Sequence, residues 1–339
     1  MPKAIATVLL LLSLCLIPGW SAAHSINSLV VFGDSLSDAG RAYVLSDGFY
    51  PPSPPYSRRF SNGPVAAEYL AASLGIPLRP SSTPGGTNYA VGGATTGTKN
   101  VSWELDSPSG IQSIAALQHT GIQVQVGEYL TNGPLVNQSR ALYLVFGGPN
   151  DLVLAHFMGD DIAAAAGAAV ANLVGAIEAL ALSGGQHFLV PNMVDLGQTP
   201  EFVGTDLQGP LRLLVEGFNA ALADAMAQLE AGLDGAGLAV DISIFDTFSA
   251  FDSVLNDPGA FGLTNTTQGC LDNLEAFLAG CPGYLFFDFT HPTTFIHQIL
   301  GEGLLAAAPS VPSLPAGVLV LVGAGLLALI GRSRRHQGV

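Results

Sequence analysis

Five short apolar runs, rich in β-branched and aromatic residues, punctuate the chain: Ser28 to Phe32, Thr87 to Val91, Ala141 to Phe146, His187 to Val190 and Ala239 to Phe245. Each has the length of a buried strand. The intervals carry helical spacing instead. Pro64 to Leu74 is one such segment, with Pro64 suited to a first turn. Leu211 to Leu229 is another, with Leu214, Phe218, Leu222, Met226 and Leu229 recurring on one face. Ile162 to Leu182 is mostly alanine, with Val170, Leu173, Val174, Ile177 and Leu180 among its larger side chains. Asn172 and Glu178 interrupt its apolarity, and Asp160 and Asp161 suit a helix start. It therefore reads as a crossover helix packed on a sheet rather than a membrane span. Strands alternating with helices predict an α/β domain over 24–310 whose parallel sheet is covered on both faces. Its chemistry should open at the carboxyl ends of the strands.

The two ends follow another pattern. Lys3, the apolar run from Ala4 to Ile17, the breakers Pro18 and Gly19, and the triplet Ser21-Ala22-Ala23 read as a signal peptide over 1–23, cut by signal peptidase before His24. At the other end, over 311–339, Leu314 to Gly331 is an unbroken apolar stretch of 18 residues, long enough for one transmembrane helix. Arg332, Arg334 and Arg335 follow it and would hold the C-terminus on the cytoplasmic side, leaving the middle exported.

Charge sharpens the division into three parts. The 339 residues contain 11 Lys+Arg and 26 Asp+Glu, for a net charge of −15. Lys3 and the three terminal arginines lie in the ends with no acid beside them, so the middle carries 7 basic and 26 acidic groups, a formal −19. Such a domain repels phosphate backbones, which excludes nucleic acid as a partner. Of the three cysteines, Cys15 falls in the signal. Cys270 and Cys281 remain as a disulfide candidate in an oxidising compartment, with two free buried thiols as the alternative and no spacing that favours zinc.

Four motifs carry candidate chemistry. Phe32-Gly33-Asp34-Ser35-Leu36 follows the first run and would present a serine at a strand-to-helix turn, on a helix N-terminus. Asn88-Tyr89-Ala90-Val91-Gly92-Gly93-Ala94 closes the second run with paired glycines that let backbone N–H groups approach a ligand. Gly147-Gly148-Pro149-Asn150-Asp151 follows the third and offers an amide side chain. Asp288-Phe289-Thr290-His291-Pro292 sets a carboxylate three residues before an imidazole, ahead of a helix that Pro292 could open. Tyr50, Pro51, Pro52, Pro54, Pro55, Tyr56 and Phe60 form an aromatic, proline-rich loop that is either a stiff surface loop or part of a substrate pocket. His24, His119, His156, His187 and His297 have no paired motif and read as surface or packing residues.

Taken in this order, Gly33 to Leu36, Asn88 to Ala94, Gly148 to Asp151 and Asp288 to Pro292 resemble the four blocks of the GDSL lipase/esterase family, the SGNH hydrolases. The resemblance extends through Arg59 to Pro64, Val190 to Asn192, Asp195 to Gly197 and Phe218-Asn219. Pro149, where the family has a small residue, and Gly40-Arg41, where it often has Gly-Asn, depart from the pattern outside the catalytic positions. The resemblance implies a three-layer α/β/α flavodoxin-like fold with a parallel sheet of about five strands, and hydrolysis of acyl esters without cofactor or metal. By the same resemblance Ser35 is the nucleophile, His291 the general base and acid, and Asp288 the carboxylate that orients it. The oxyanion hole is then formed by the N–H groups of Ser35 and Gly93 and the amide of Asn150, with Gly92 as a rival for the role of Gly93. Asp34 is left with turn geometry. A carbohydrate O-deacetylase and a non-catalytic surface binding module are the alternatives. Val311-Pro312-Ser313-Leu314-Pro315, the apolar stretch and the terminal arginines resemble the PEP-CTERM class of sorting tails. That implies an exosortase-type partner and membrane contact through the tail, with a plain C-terminal anchor as the alternative. The expected location is the exterior or outer envelope of a bacterium.

Overall fold

The computed structural model describes residues 26–106, 112–132 and 136–309. The signal peptide and sorting tail inferred above lie outside the described residues. Four parallel strands form the central sheet in the order β1 (Ser28–Gly33), β2 (Ala141–Phe146), β3 (His187–Pro191) and β4 (Asp241–Phe245). The register pairs Val31 with Leu144, Tyr143 with Phe188, and Leu189 with Ser243.

The apolar run at 87–91 lies alongside β1 at the open edge but does not complete a fifth strand. Val31 N donates to Thr87 O at 3.0 Å, Tyr89 N to Val31 O at 2.7 Å and Val91 N to Gly33 O at 3.1 Å. Its other side pairs with no strand among the described residues, only with an isolated bridge between Pro80 and Asn88. Thr87 N and Asn88 N both turn to Arg79 O, while the Asn88 side chain bonds Ser37 O and Ala90 N. Counted as an edge member, this segment places the chain's runs in the spatial order 2-1-3-4-5, that of a flavodoxin-like doubly wound sheet.

Alternate residues of the strands face two cores, which makes the architecture three-layered. Val30, Phe32, Tyr143, Val145, Phe188 and Val190 pack on one face with α2 (Ile122–Asn132), α4 (Ile162–Leu182) and α5 (Gln208–Gly235). Leu29, Val31, Leu142, Leu144 and Leu189 pack on the other with α1 (Ala66–Leu74), α6 (Thr247–Asn256) and α7 (Thr294–Ala307). Another helix, α3 (Pro149–Met158), follows β2 directly. By length and composition α4 could cross a membrane. It instead buries Ala169, Leu173, Ala176, Ile177 and Leu180 against the sheet, and Asp161 caps it by accepting from Ala163 N and Ala164 N.

Two helix starts beside prolines differ from the sequence expectation, and one small sheet has no counterpart in it. The helix expected from Pro64 begins at Ala66, where the Glu68 carboxylate takes the N–H of Val65 at 3.0 Å. α7 begins at Thr294, after Pro292 rather than on it. A second, two-stranded parallel sheet joins β5 (Asn265–Gly269) and β6 (Tyr284–Phe286). The polar sequence of β5 carries no strand signal. Between these two strands Cys270 and Cys281 form a disulfide whose buried sulfurs pack with Phe287 and the partly buried Tyr56. That cluster stands immediately before Asp288.

Candidate active site

The four motifs meet at the carboxyl edge of the sheet, around one cavity of about 350 Å³ lined by Ser35, Gly93, Asn150 and His291 among others. Gly33 lets β1 end against β2, since a side chain there would meet Phe146 O at 2.5 Å. The backbone then turns: Ser37 N and Asp38 N both donate to Asp34 O, at 3.1 and 3.0 Å. Ser35 thus sits in a turn and not, as its sequence suggests, on a helix N-terminus. The short helix Arg41–Leu45 starts only after Gly40, because the Asp38 carboxylate captures Gly40 N, Arg41 N and Ala42 N and caps the helix there.

Asp38 also distinguishes the paired glycines. Its Oδ2 takes Gly92 N at 2.8 Å, so that donor is used. Gly93 N has no partner among the described residues, and neither has Ser35 N. Gly93 adopts φ +81°, and a side chain on it would meet Asn100 Oδ1 and Ser102 Oγ at 2.6 Å. Glycine is required there by both conformation and space.

The amide of Asn150 comes from the first turn of α3. Pro149 occupies the opening position of that helix, where a missing N–H costs nothing, which gives the departure from the family pattern a physical basis. Asn150 Nδ2 donates one hydrogen to Ala94 O at 3.0 Å. Its second N–H is left for the cavity. Next to it Asp151 accepts from Thr96 N and Thr96 Oγ1 at 2.9 and 2.8 Å, stitching α3 to the glycine loop.

Asp288 and His291 close the site. The imidazole Nδ1 lies 2.8 Å from Asp288 Oδ2, while Asp288 Oδ1 accepts from Thr290 N and His291 N at 2.9 and 2.7 Å. Burial of Asp288 raises its pKa, but the attraction of His291 and these hydrogen bonds outweigh it and hold the carboxyl below the usual range. Ser35 and His291 line the same cavity without a hydrogen bond between their side chains.

Two other carboxyls nearby behave oppositely. Asp34 Oδ1 accepts from Leu36 N at 3.0 Å, but Oδ2 is buried without a partner, and burial pushes the group up to about 7. Burial also raises Asp151, to about 6. Of the unpaired histidines, His297 is fully buried, takes Ala66 N on Nδ1 at 3.3 Å and is pushed down to about 3 by burial. It serves packing. His24 lies outside the described residues. Among the described residues, no group of three or more His, Cys, Asp or Glu side chains is arranged to hold a metal ion.

Sequence reasoning missed two contributors and the particular contact of a third. Gln125 clamps the end of β1 by accepting Gly33 N and donating to Gly33 O. Glu201 stands on the cavity wall, its carboxyl raised by burial and then by Asp288. Tyr56 donates its hydroxyl to Asp288 Oδ2 at 2.8 Å. None has a local signal, since each contact joins distant parts of the chain. Within the aromatic loop, Tyr50 and Phe60 line the cavity.

The family model described as GDSL-like Lipase/Acylhydrolase matches residues 29–304. The chain is 30% identical over 321 residues to an uncharacterized protein in the trpE-trpG intergenic region of Pseudomonas putida, covering 86% of this chain and 50% of that protein. It thus spans about half the length of that relative. It is 27% identical over 326 residues to the phosphatidylcholine-sterol acyltransferase of Aeromonas hydrophila, covering 82% of this chain and 89% of that one. Among solved structures, Axe2, an acetylxylan esterase from Geobacillus stearothermophilus, is similar with 14% identity and a TM-score of 0.44, over 86% of this chain and 100% of that one.

Proposed function

Because the chain belongs to the GDSL-like lipase/acylhydrolase family, we propose that it is a serine hydrolase of carboxylic esters that works through an acyl-enzyme. Ser35 Oγ attacks the ester carbonyl while His291 Nε2 takes its proton, and Asp288 keeps the Nδ1–H tautomer in place. The oxyanion that develops meets Ser35 N–H, Gly93 N–H and the free N–H of Asn150. Collapse of the tetrahedral species expels the alkoxide, which leaves as the alcohol after His291 returns the proton. Water then repeats the sequence on the acyl-enzyme and releases the acid. No cofactor is needed. The observation that carries this reading is the coincidence of three unclaimed donors with a serine and a carboxylate-bound imidazole around one cavity.

The substrate follows from the walls. Leu36, Val101, Leu105, Val153, Phe157 and Phe289 make most of the lining apolar, which suits an alkyl acyl chain better than an acetylated sugar. A fluorophosphonate probe followed by peptide mapping tests the chemistry: it should modify Ser35 in the folded protein. An unmodified Ser35 would leave a non-catalytic binding module as the better reading. Nitrophenyl butyrate, nitrophenyl octanoate and acetylated xylo-oligosaccharides, assayed side by side, test the substrate. Faster release of acetate from the glycan would favour a carbohydrate O-deacetylase.

The same proposal places the enzyme outside the cytoplasm, at the surface or exterior of a bacterium. The patterns at 1–23 and 311–339 support processing by signal peptidase and an exosortase-type enzyme, with membrane contact through the tail. The intact mass of the protein from its native producer should begin at His24 and lack the terminal arginines. A C-terminus still ending at Val339 would make the tail a plain anchor.

A further inference from the structure

The mechanism leaves one strong contact unused. Tyr56 O–H donates to Asp288 Oδ2 at 2.8 Å, and that oxygen is the one already facing His291 Nδ1 at 2.8 Å. The turn itself has no need of it, because Thr290 N and His291 N are satisfied by Oδ1. Tyr56 is delivered from 232 residues away, and its ring is locked from two sides. It packs edge-on against Phe287 at 5.2 Å and lies 6.3 Å from Phe60, whose own ring is 5.3 Å from that of His291.

We propose that Tyr56 is a positioning residue of ester hydrolysis, acting through Asp288 to fix the carboxylate's rotamer and to temper the negative charge that His291 feels. The inference rests on the proposed Ser35–His291–Asp288 chemistry. Burial, then the adjacent Asp288 charge, push the Tyr56 phenol well above its ordinary range, so it is a hydrogen-bond donor throughout the working pH range. A carboxylate that accepts two strong donors on one oxygen is less basic than one that accepts a single donor. The imidazolium formed as Ser35 attacks is then held less tightly, and it protonates the leaving alcohol more readily. Without the hydroxyl, Asp288 is too buried for bulk water to replace the bond freely.

Tyr56→Phe keeps the ring packing and removes only the donor. With nitrophenyl butyrate, kcat should fall about tenfold with KM nearly unchanged, since a net hydrogen bond to a charged group is worth on the order of 1.5 kcal/mol. The acid limb of the kcat/KM profile should also move to higher pH, by roughly half a unit, because more negative charge remains beside the imidazole. Asp34, Glu201 and His297 also interact electrostatically with His291, and Tyr50 with Tyr56. The substitution leaves them in place, so a moved limb reports the Tyr56 contact. Unchanged kcat and an unmoved limb would overturn the proposal. So would a lower melting temperature with reduced kcat but an unmoved limb, the mark of a purely structural role. Failure of the parent enzyme to hydrolyse the ester or to be modified at Ser35 would instead overturn the underlying serine mechanism.

Discussion

Asp288→Asn is expected to lower kcat about 10⁴-fold while the protein remains folded. Oδ1 of Asp288 accepts two backbone N–H groups in its own turn, and an asparagine carbonyl can take over both. The amide NH₂ then occupies the place of Oδ2, facing His291 Nδ1 and the Tyr56 hydroxyl. Facing a donor, Nδ1 must become an acceptor, which moves the ring proton to Nε2. In that tautomer the imidazole cannot accept the proton of Ser35. The loss is one of chemistry more than of binding, so kcat falls and KM changes little. Steady-state kinetics with nitrophenyl butyrate, together with thermal melting of both proteins, measure it. A loss under tenfold in a protein that melts like its parent would show that another group orients His291.

The grouping of the candidate residues was more legible in the sequence than the scaffold that holds them. Gly33, Ser35, Gly93 and Asn150 stand in compact blocks at or after strand-like runs, and a parallel sheet necessarily brings such ends to one edge, whereas Asp288 and His291 reach the cavity from beyond β6 of the second sheet. Buried strands such as Ala141–Phe146 were legible because every residue in them is apolar. β5 was not, because Asn265–Gly269 is polar and partly exposed, and its pairing with β6 depends on tertiary placement. The run at 87–91 was read as a strand from its composition, yet its outer side bonds a turn at Arg79. Placing Ser35 on a helix failed because Asp38 could not be foreseen as the cap of Arg41–Leu45. Asp38 illustrates the general difficulty. A single carboxylate sets where that helix begins, through bonds two to four residues away, and which of two adjacent glycines keeps its N–H, through a bond 54 residues away. Tyr56 lies further beyond local reading, since the residue it serves is 232 positions later.

Asn150→Ala should cost about 10² to 10³ in kcat, equivalent to roughly 2.7 to 4 kcal/mol of transition-state stabilisation. Of the three proposed oxyanion donors, two are backbone N–H groups, so the side chain of Asn150 is the one that substitution can remove cleanly. One of its amide hydrogens is spent on Ala94 O at 3.0 Å, and that bond fixes the direction of the other. Loss of the tether should not release the helix. Asp151 still holds Thr96 through two hydrogen bonds, and alanine suits the first turn of α3 beside Pro149. The carbonyl oxygen of a bound ester carries little charge until Ser35 attacks, so the missing donor matters mainly in the transition state, and kcat falls with KM nearly unchanged. Asn150→Asp makes the sharper comparison. It fills nearly the same space, but an ionised carboxylate only accepts hydrogen bonds and would place a second negative charge against the oxyanion. Its loss should therefore exceed that of the alanine variant near neutral pH. Both variants should still react with a fluorophosphonate at Ser35, more slowly than the parent. Turnover of nitrophenyl butyrate by Asn150→Ala at the parental rate would remove the amide from the oxyanion hole and leave only the two backbone donors to carry the charge.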